Sequence, residues 1–180
     1  MPEAPPHPAR LAPEALLAEC RMEAIRSAGP GGQHRNKVST GVRLCHLPTG
    51  VQGTATERRS QLENKVEALF RLRLRLALDH RNPPRDEDFG PPETYRPSAL
   101  WLGRLHGDRI RVNPDHADFP ALLAEVLDRL AADADDLQRT AAAFRVSRSQ
   151  LLKFLASEHA ALGALNDRRR ARGEHPLRAS

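Results

Sequence analysis

The chain has 180 residues, 39% of them apolar and only 4% aromatic, so any core rests on Leu, Ala and Val. That length suits one ordinary core or two small ones. The formal net charge of +5 points to a polyanionic partner, and no apolar run approaches the ~18 residues that a membrane-spanning helix needs.

The charge is unevenly spread. With 25 Arg against 3 Lys in an Ala-rich chain, a GC-rich coding bias would account for total Arg content. Location says more: between Arg26 and Arg81 there are 11 basic and 4 acidic residues, a net of +7, and the rest of the chain carries −2. A basic segment of this kind suggests a binding face. The two cysteines, Cys20 and Cys45, form neither a CxxC pair nor a metal-ligand cluster and read as reduced, half-buried thiols. Residues 2–13 contain five prolines and read as a disordered lead-in. Met1 to Arg10 lacks the apolar region of a signal peptide, so the expected location is the cytoplasm or an organellar matrix.

In chain order, residues 14–18 suit a short helix and Cys20 to Arg26 a strand. Ser27 to Gln33 holds too many glycines for the interior of either element and reads as a loop. Val42–Leu47 and Val51–Thr56, joined by Pro48-Thr49-Gly50, form a β-hairpin pattern. Residues 60–79 alternate locally, but Val66, Leu69, Phe70, Arg73 and Ala77 fall at helical spacings, Ser60 can cap the start, and no Gly or Pro intervenes. One long helix is expected, with Arg71 and Arg75 on an exposed side.

Residues 82–97 contain five prolines and read as a linker. A short strand or hairpin is possible within Trp101–Val112, and beyond Phe119 the pattern is helical to about Arg172. Within 137–155, two short helices with Ser147 capping the second resemble a helix-turn-helix, a short pattern common among three-helix bundles and read first as plain packing, with nucleic-acid contact as the alternative. The expected fold is α+β: a small mixed sheet with a long helix, then a Pro-rich linker and a small all-helical domain. The expected divisions are lead-in 1–13, first domain 14–81, linker 82–97, helical domain 98–172 and tail 173–180.

The loop Gly29-Pro30-Gly31-Gly32-Gln33 lacks the Gly-Lys-Ser/Thr of a phosphate-binding loop and the third glycine of a dinucleotide fingerprint. No GxSxG nucleophile elbow occurs in the chain. The surroundings are more specific. Arg26-Ser27-x-Gly29-x-Gly31-Gly32-Gln33-His34-x-Asn36-Lys37 leads to Val42-x-Leu44-x-His46-x-Pro48-Thr49-Gly50, then to Glu57-Arg58-x-Ser60-Gln61-x-x-Asn64-Lys65. Over residues 20–79 this resembles the catalytic GGQ domain of class I peptide chain release factors and of their short, codon-independent ribosome-rescue relatives.

The resemblance implies that Gly31, Gly32 and Gln33 enter the peptidyl-transferase centre and promote attack of water on the peptidyl-tRNA ester. The residue types suit that task. Glycines make a narrow tip and let the backbone approach closely. A preorganised backbone N–H, by resemblance that of Gln33, can stabilise the charge of the tetrahedral intermediate. The neutral Gln33 amide would shape the water pocket and does not titrate. Ser27, Gly29, Pro30, His34 and Asn36 are the expected loop supports. His34 could suggest a general base, but the family's chemistry does not need one. His46 reads as a structural residue of the hairpin.

Expected RNA contacts are Arg26, Lys37, Arg58, Arg59, Lys65, Arg71 and Arg75, and in the helical domain Arg148, Lys153, Arg168, Arg169 and Arg170; for each, an ordinary solvated face is the alternative. Arg145 belongs with the helix-turn-helix-like segment. The expected partners are the ribosome, its RNA and P-site peptidyl-tRNA, with no membrane, no cofactor, no metal and a monomeric protein. Only about 25 residues precede the loop region, so a stop-codon-reading domain is not expected, and the rescue relatives' basic tail is replaced by the helical domain. Codon-independent rescue is the leading reading. A non-hydrolytic ribosome- or RNA-binding module and a DNA-binding regulator are the alternatives.

Overall fold

A computed structural model describes residues 6–26, 40–84 and 90–179. It divides into two compact units, residues 6–80 and residues 81–180. The first contains α1 (Pro13–Ala18), β1 (Cys20–Ile25), β2 (Gly41–His46), β3 (Gln52–Ala55) and α2 (Gln61–Asp79). The strands form one sheet in the order β1-β2-β3. The α+β reading holds, though this sheet is antiparallel throughout rather than mixed.

Alternation explains the sheet's buried face. Val42, Leu44 and His46 are buried on β2, and Gly53 and Ala55 on β3. Against this face packs α2, whose start is capped by Ser60 accepting from the Glu63 N–H. Its buried residues are Asn64, Ala68, Leu72, Leu76 and Ala77. The helix is where the sequence puts it, but its buried stripe is rotated from the expected one, and Val66 is 65% exposed. The cause is on β3: a methyl group at Gly53 would lie 2.3 Å from the Ala68 carbonyl oxygen and 2.5 Å from the Leu72 N–H nitrogen. Gly53 and Ala68 are the small pair that lets strand and helix meet.

The lead-in differs from expectation from residue 6 onward. His7 and Ala9 are buried, and Pro8–Arg10 forms a 3-10 turn. Ala9 N–H donates to His7 Nδ1 at 3.0 Å, His7 Nε2 lies 3.3 Å from the His80 carbonyl, and Arg73 Nε donates to the Ala9 carbonyl at 3.1 Å. Local proline content predicts an extended chain, but it cannot show that the extended chain has a helix to lie on.

The second unit contains α3 (Ala99–Arg104), β4 (Leu105–His106), β5 (Arg109–Ile110), α4 (Phe119–Ala132), α5 (Leu137–Ala143), α6 (Arg148–Ala156) and α7 (His159–Ala171). The two short strands make a hairpin, so the unit is not purely helical. Trp101 is fully buried among Phe144 and Phe154, and its indole N–H donates to the Phe144 carbonyl at 3.0 Å.

Residues 90–97, expected as linker, belong to this core. Tyr95 packs edge-on against Phe144 and takes the Arg129 guanidinium over its ring at 4.9 Å, and the Gly90 carbonyl accepts from Arg139 at 2.6 Å. Asp133 is the polar centre, accepting from Arg129, Arg139 and Thr140. The Arg129–Asp133 pair is entirely buried. Desolvating both ions is costly, so these bonds fix geometry more surely than they add stability.

Gly53→Ala should lower the thermal midpoint of the full chain, with a loss near the upper end of the ~1–3 kcal/mol typical of overpacking, because the nearest atoms are backbone. Calorimetry would check it; an unchanged midpoint would contradict the close approach described.

Candidate active site

The frame of the candidate site is defined by its ends. Ile25 and Gly41 are paired across β1 and β2, so the chain leaves the sheet at Arg26 and returns at Thr40 from neighbouring strands. The approach is tight: a methyl group at Gly41 would lie 2.8 Å from the Ile25 carbonyl oxygen and 2.9 Å from the Thr56 side chain. The expected catalytic residues Gly31, Gly32 and Gln33 lie outside the described residues, as do Ser27, Gly29, Pro30, His34, Asn36 and Lys37.

One side chain clamps the returning strand. Asn64, fully buried in the first turn of α2, donates to the Thr40 carbonyl at 2.8 Å and to the Arg58 carbonyl at 2.9 Å. Its Oδ1 accepts from the Arg58 N–H at 3.0 Å. Three segments are thereby tied together: the foot of the loop, the β3–α2 connection and α2. Thr40 Oγ1 adds a longer bond to the Arg58 carbonyl at 3.4 Å. Sequence reading placed Asn64 in the motif but gave it no role. A signal was present, since an Asn stands in the i, i+4 series with Ala68, Leu72 and Leu76, where an apolar residue would otherwise be expected.

A second clamp holds the same connection. Arg71 donates to the Thr54 carbonyl at 2.9 Å and to Glu57 at 2.7 Å, and pairs with Glu67 at 2.9 Å. The hydrogen bond from Arg71, with support from backbone N–H groups, lowers Glu57 from its ordinary 4.5 to about 2. Arg71, expected to face RNA, is thus committed to two carboxylates and a carbonyl. Arg26, Arg58, Arg59 and Arg75 are exposed, Lys65 is half-buried, and none has an ion-pair partner among the described residues.

At the other end of the sheet, His46 is buried and held from both sides. Its Nδ1 lies 2.7 Å from Thr49 Oγ1 and its Nε2 3.0 Å from Glu19 Oε2. Thr49 Oγ1 also accepts from the Val51 N–H at 3.3 Å, so the Thr49 hydroxyl is engaged in the hairpin turn. His46 is a structural residue, as expected. Burial pushes the Cys20 thiol up to about 11, with smaller contributions from Cys45 and Glu19, so it stays protonated and weakly nucleophilic at neutral pH. Among the described residues, no three His, Cys, Asp or Glu side chains cluster as metal ligands, and no helix is long and apolar enough to cross a membrane.

Comparison with known proteins agrees with this frame. Residues 15–90 match the RF-1 domain. The matched domain belongs to the GGQ-domain family of class I peptide chain release factors. It is similar to peptide chain release factor 1 of Acidiphilium cryptum, 34% identical over 138 residues, which is 70% of this chain and 39% of that protein. Release factor 1 of Verminephrobacter eiseniae is 45% identical over 111 residues, covering 62% and 29% respectively. Release factor 2 of Treponema pallidum is 44% identical over 69 residues, covering 38% and 19%. The chain thus spans well under half the length of each of these relatives. The matched RF-1 domain contains the GGQ triplet, Asn64 and Arg71.

Two outcomes follow from the clamps. Asn64→Ala removes three part-buried hydrogen bonds and should destabilise the RF-1 domain by about 0.5–1.5 kcal/mol for each, measured by urea denaturation of the full chain. Glu57, with its folded value depressed, contributes fully above its ordinary value near 4.5 and loses that contribution as pH falls through about 2. An NMR titration of the Glu57 carboxyl should therefore show no protonation at pH 4; a midpoint near 4.5 would mean that the Arg71 clamp is absent in solution.

Proposed function

We propose that this chain acts on the ribosome as a peptidyl-tRNA hydrolase, placing Gly31-Gly32-Gln33 beside the ester that joins the nascent peptide to tRNA. The observation that carries the proposal is the RF-1 match over residues 15–90 with the GGQ triplet intact. The geometry supports it in one respect: the loop's two ends start side by side on a sheet, and the returning end is clamped to α2 by Asn64. A glycine-rich tip is entropically costly to position, and rigid feet reduce what must be fixed when it docks.

The proposed chemistry needs no titrating side chain. Water attacks the ester carbonyl, and a tetrahedral intermediate forms with its negative charge on oxygen. The Gln33 N–H donates to that oxygen, and the tRNA ribose oxygen leaves with a proton. Ribosomal RNA and tRNA supply the walls of the site, so the isolated protein should have little activity on free peptidyl-tRNA. We further propose that release is independent of the codon in the A site, as in ribosome rescue. This finer reading rests on the resemblance of residues 20–79 to the short ribosome-rescue relatives.

Peptide release from purified ribosomes with peptidyl-tRNA in the P site and an empty A site tests both statements. Wild type should release peptide at similar rates with a sense and a stop codon. Gly32→Ala should lose about 100-fold or more, the scale on which a displaced oxyanion donor acts. Gln33→Pro, which removes the N–H, should be as defective, whereas Gln33→Ala should retain much of the activity. Release only at stop codons would remove the codon-independent reading. Ribosome binding without release in any complex would replace the hydrolase by a non-catalytic binding module.

A further inference from the structure

Six arginines of the second unit are neutralised within it. Arg129 and Arg139 bond to Asp133, Arg168 and Arg172 to Asp135, Arg169 and Arg172 to Glu174, and Arg170 to Asp167. The cluster Arg168–Arg170, which the sequence offers as an RNA contact, is therefore engaged with carboxylates of its own unit. The polar cleft beside it, about 300 Å³ in volume, is lined by Arg148, Arg169 and Arg172 but also by Asp135, Asp136 and Glu174. Its mixed charge makes it a poor anion site.

The helix-turn-helix-like segment is different. Residues 137–157, which contain α5, its turn and α6, include no Asp or Glu over 21 positions. Arg145, Arg148 and Lys153 are exposed, and their side chains have no hydrogen-bond or ion-pair partner among the described residues. Arg145 stands in the turn with φ of 58°, and Arg148 opens α6. Ser149 is exposed next to Arg148, and Ser147 caps the helix. The apolar residues of α6, Leu151, Leu152, Phe154 and Leu155, are buried, so the helix is already seated and only its polar side is free. Arg111, exposed and unpaired, follows β5, which packs against α6.

We propose that this surface of α6 and its preceding turn docks on the phosphate backbone of ribosomal RNA and anchors the factor independently of the GGQ loop. The choice of ribosomal RNA rests on the proposed action on the ribosome. The surface itself supplies the chemistry: Arg145 and Lys153, and Arg148 at the rim of the mixed-charge cleft, are unpaired cations in a segment without Asp or Glu, with hydroxyl neighbours that can bond phosphate and ribose oxygens. Contacts of this kind position a protein without reading sequence, as a codon-independent factor requires.

The test compares the full chain with the triple variant Arg145→Gln, Arg148→Gln, Lys153→Gln, and with a control triple Arg168→Gln, Arg169→Gln, Arg170→Gln. Binding to purified ribosomes is measured by co-sedimentation over a range of potassium chloride concentrations. The α6 triple should weaken binding about tenfold or more at ~0.1 M salt and lower the log–log salt slope by about 2 to 3, since each phosphate contact contributes ~0.7–0.9. Its circular dichroism and melting should match wild type, because none of the three side chains has a partner to lose. The control triple should leave the slope nearly unchanged. An unchanged affinity and slope for the α6 triple would overturn the proposal, as would free tRNA or duplex DNA competing as well as ribosomal RNA. Because the readout is binding, a wild type that binds with this salt slope but releases no peptide would reject the hydrolase reading and leave the docking surface standing.

Discussion

At Gly53 the backbone of β3 runs so close to α2 that no other residue fits without moving the Ala68 carbonyl or the Leu72 backbone. Much in the RF-1 domain follows from that contact. It sets the rotation of α2, which turns Leu72 and Leu76 into the sheet and leaves Val66 and Leu62 outside. The same rotation brings Asn64, one turn before Ala68, under the foot of the returning strand, where its amide satisfies Thr40 and Arg58. A helix held one side chain farther from the sheet would lose those hydrogen bonds, at about 0.5–1.5 kcal/mol each. Packing of a glycine against an alanine and anchoring of the candidate catalytic loop are therefore one constraint.

The polar clamps share a logic. Asn64 holds the β3–α2 connection through its backbone at Arg58, and Arg71 holds it at Thr54 and Glu57. Neither side chain is free to contact substrate, yet both lie in the stretch that resembles the release factors. In the matched region, a polar residue can thus serve the loop by fixing its base. The distinction matters for reading mutations: loss of Asn64 should act first on stability, whereas under the proposed function loss of Gly32 should act on peptide release.

Much of this architecture was legible in the sequence. The hairpin, the long helix, its Ser60 cap and the division of α5 from α6 by Ser147 all follow from local patterns, and the structure has them in place. What escaped is tertiary. Pro-rich residues 6–10 and 90–97 read as open chain, but His7, Ala9 and Tyr95 find partners far away in sequence. The buried stripe of α2 was misplaced because local hydropathy favours Val66 and Phe70, whereas Gly53 selects Ala68 and Leu72. The motif around Gly31-Gly32-Gln33 was readable as a family likeness, although its residues fall outside those the structure describes.

Charge illustrates the same limit. In sequence, Arg71, Arg148 and Arg168 are equivalent candidates for RNA contact. Folding separates them: Arg71 pairs with Glu57 and Glu67, Arg168 pairs with Asp135, and Arg148, which shares a cleft with Asp135, Asp136 and Glu174, forms no ion pair among the described residues. A cation already paired must exchange one anion for another to bind RNA, so its net gain is small. An exposed unpaired cation gives up only water and counterions, and the released counterions are the source of its affinity. The useful quantity for locating an RNA surface is therefore the number of cations left over after the fold has satisfied its own carboxylates. By that measure the second unit, nearly neutral as a whole, still has three exposed cations in and before α6 that no carboxylate pairs with among the described residues.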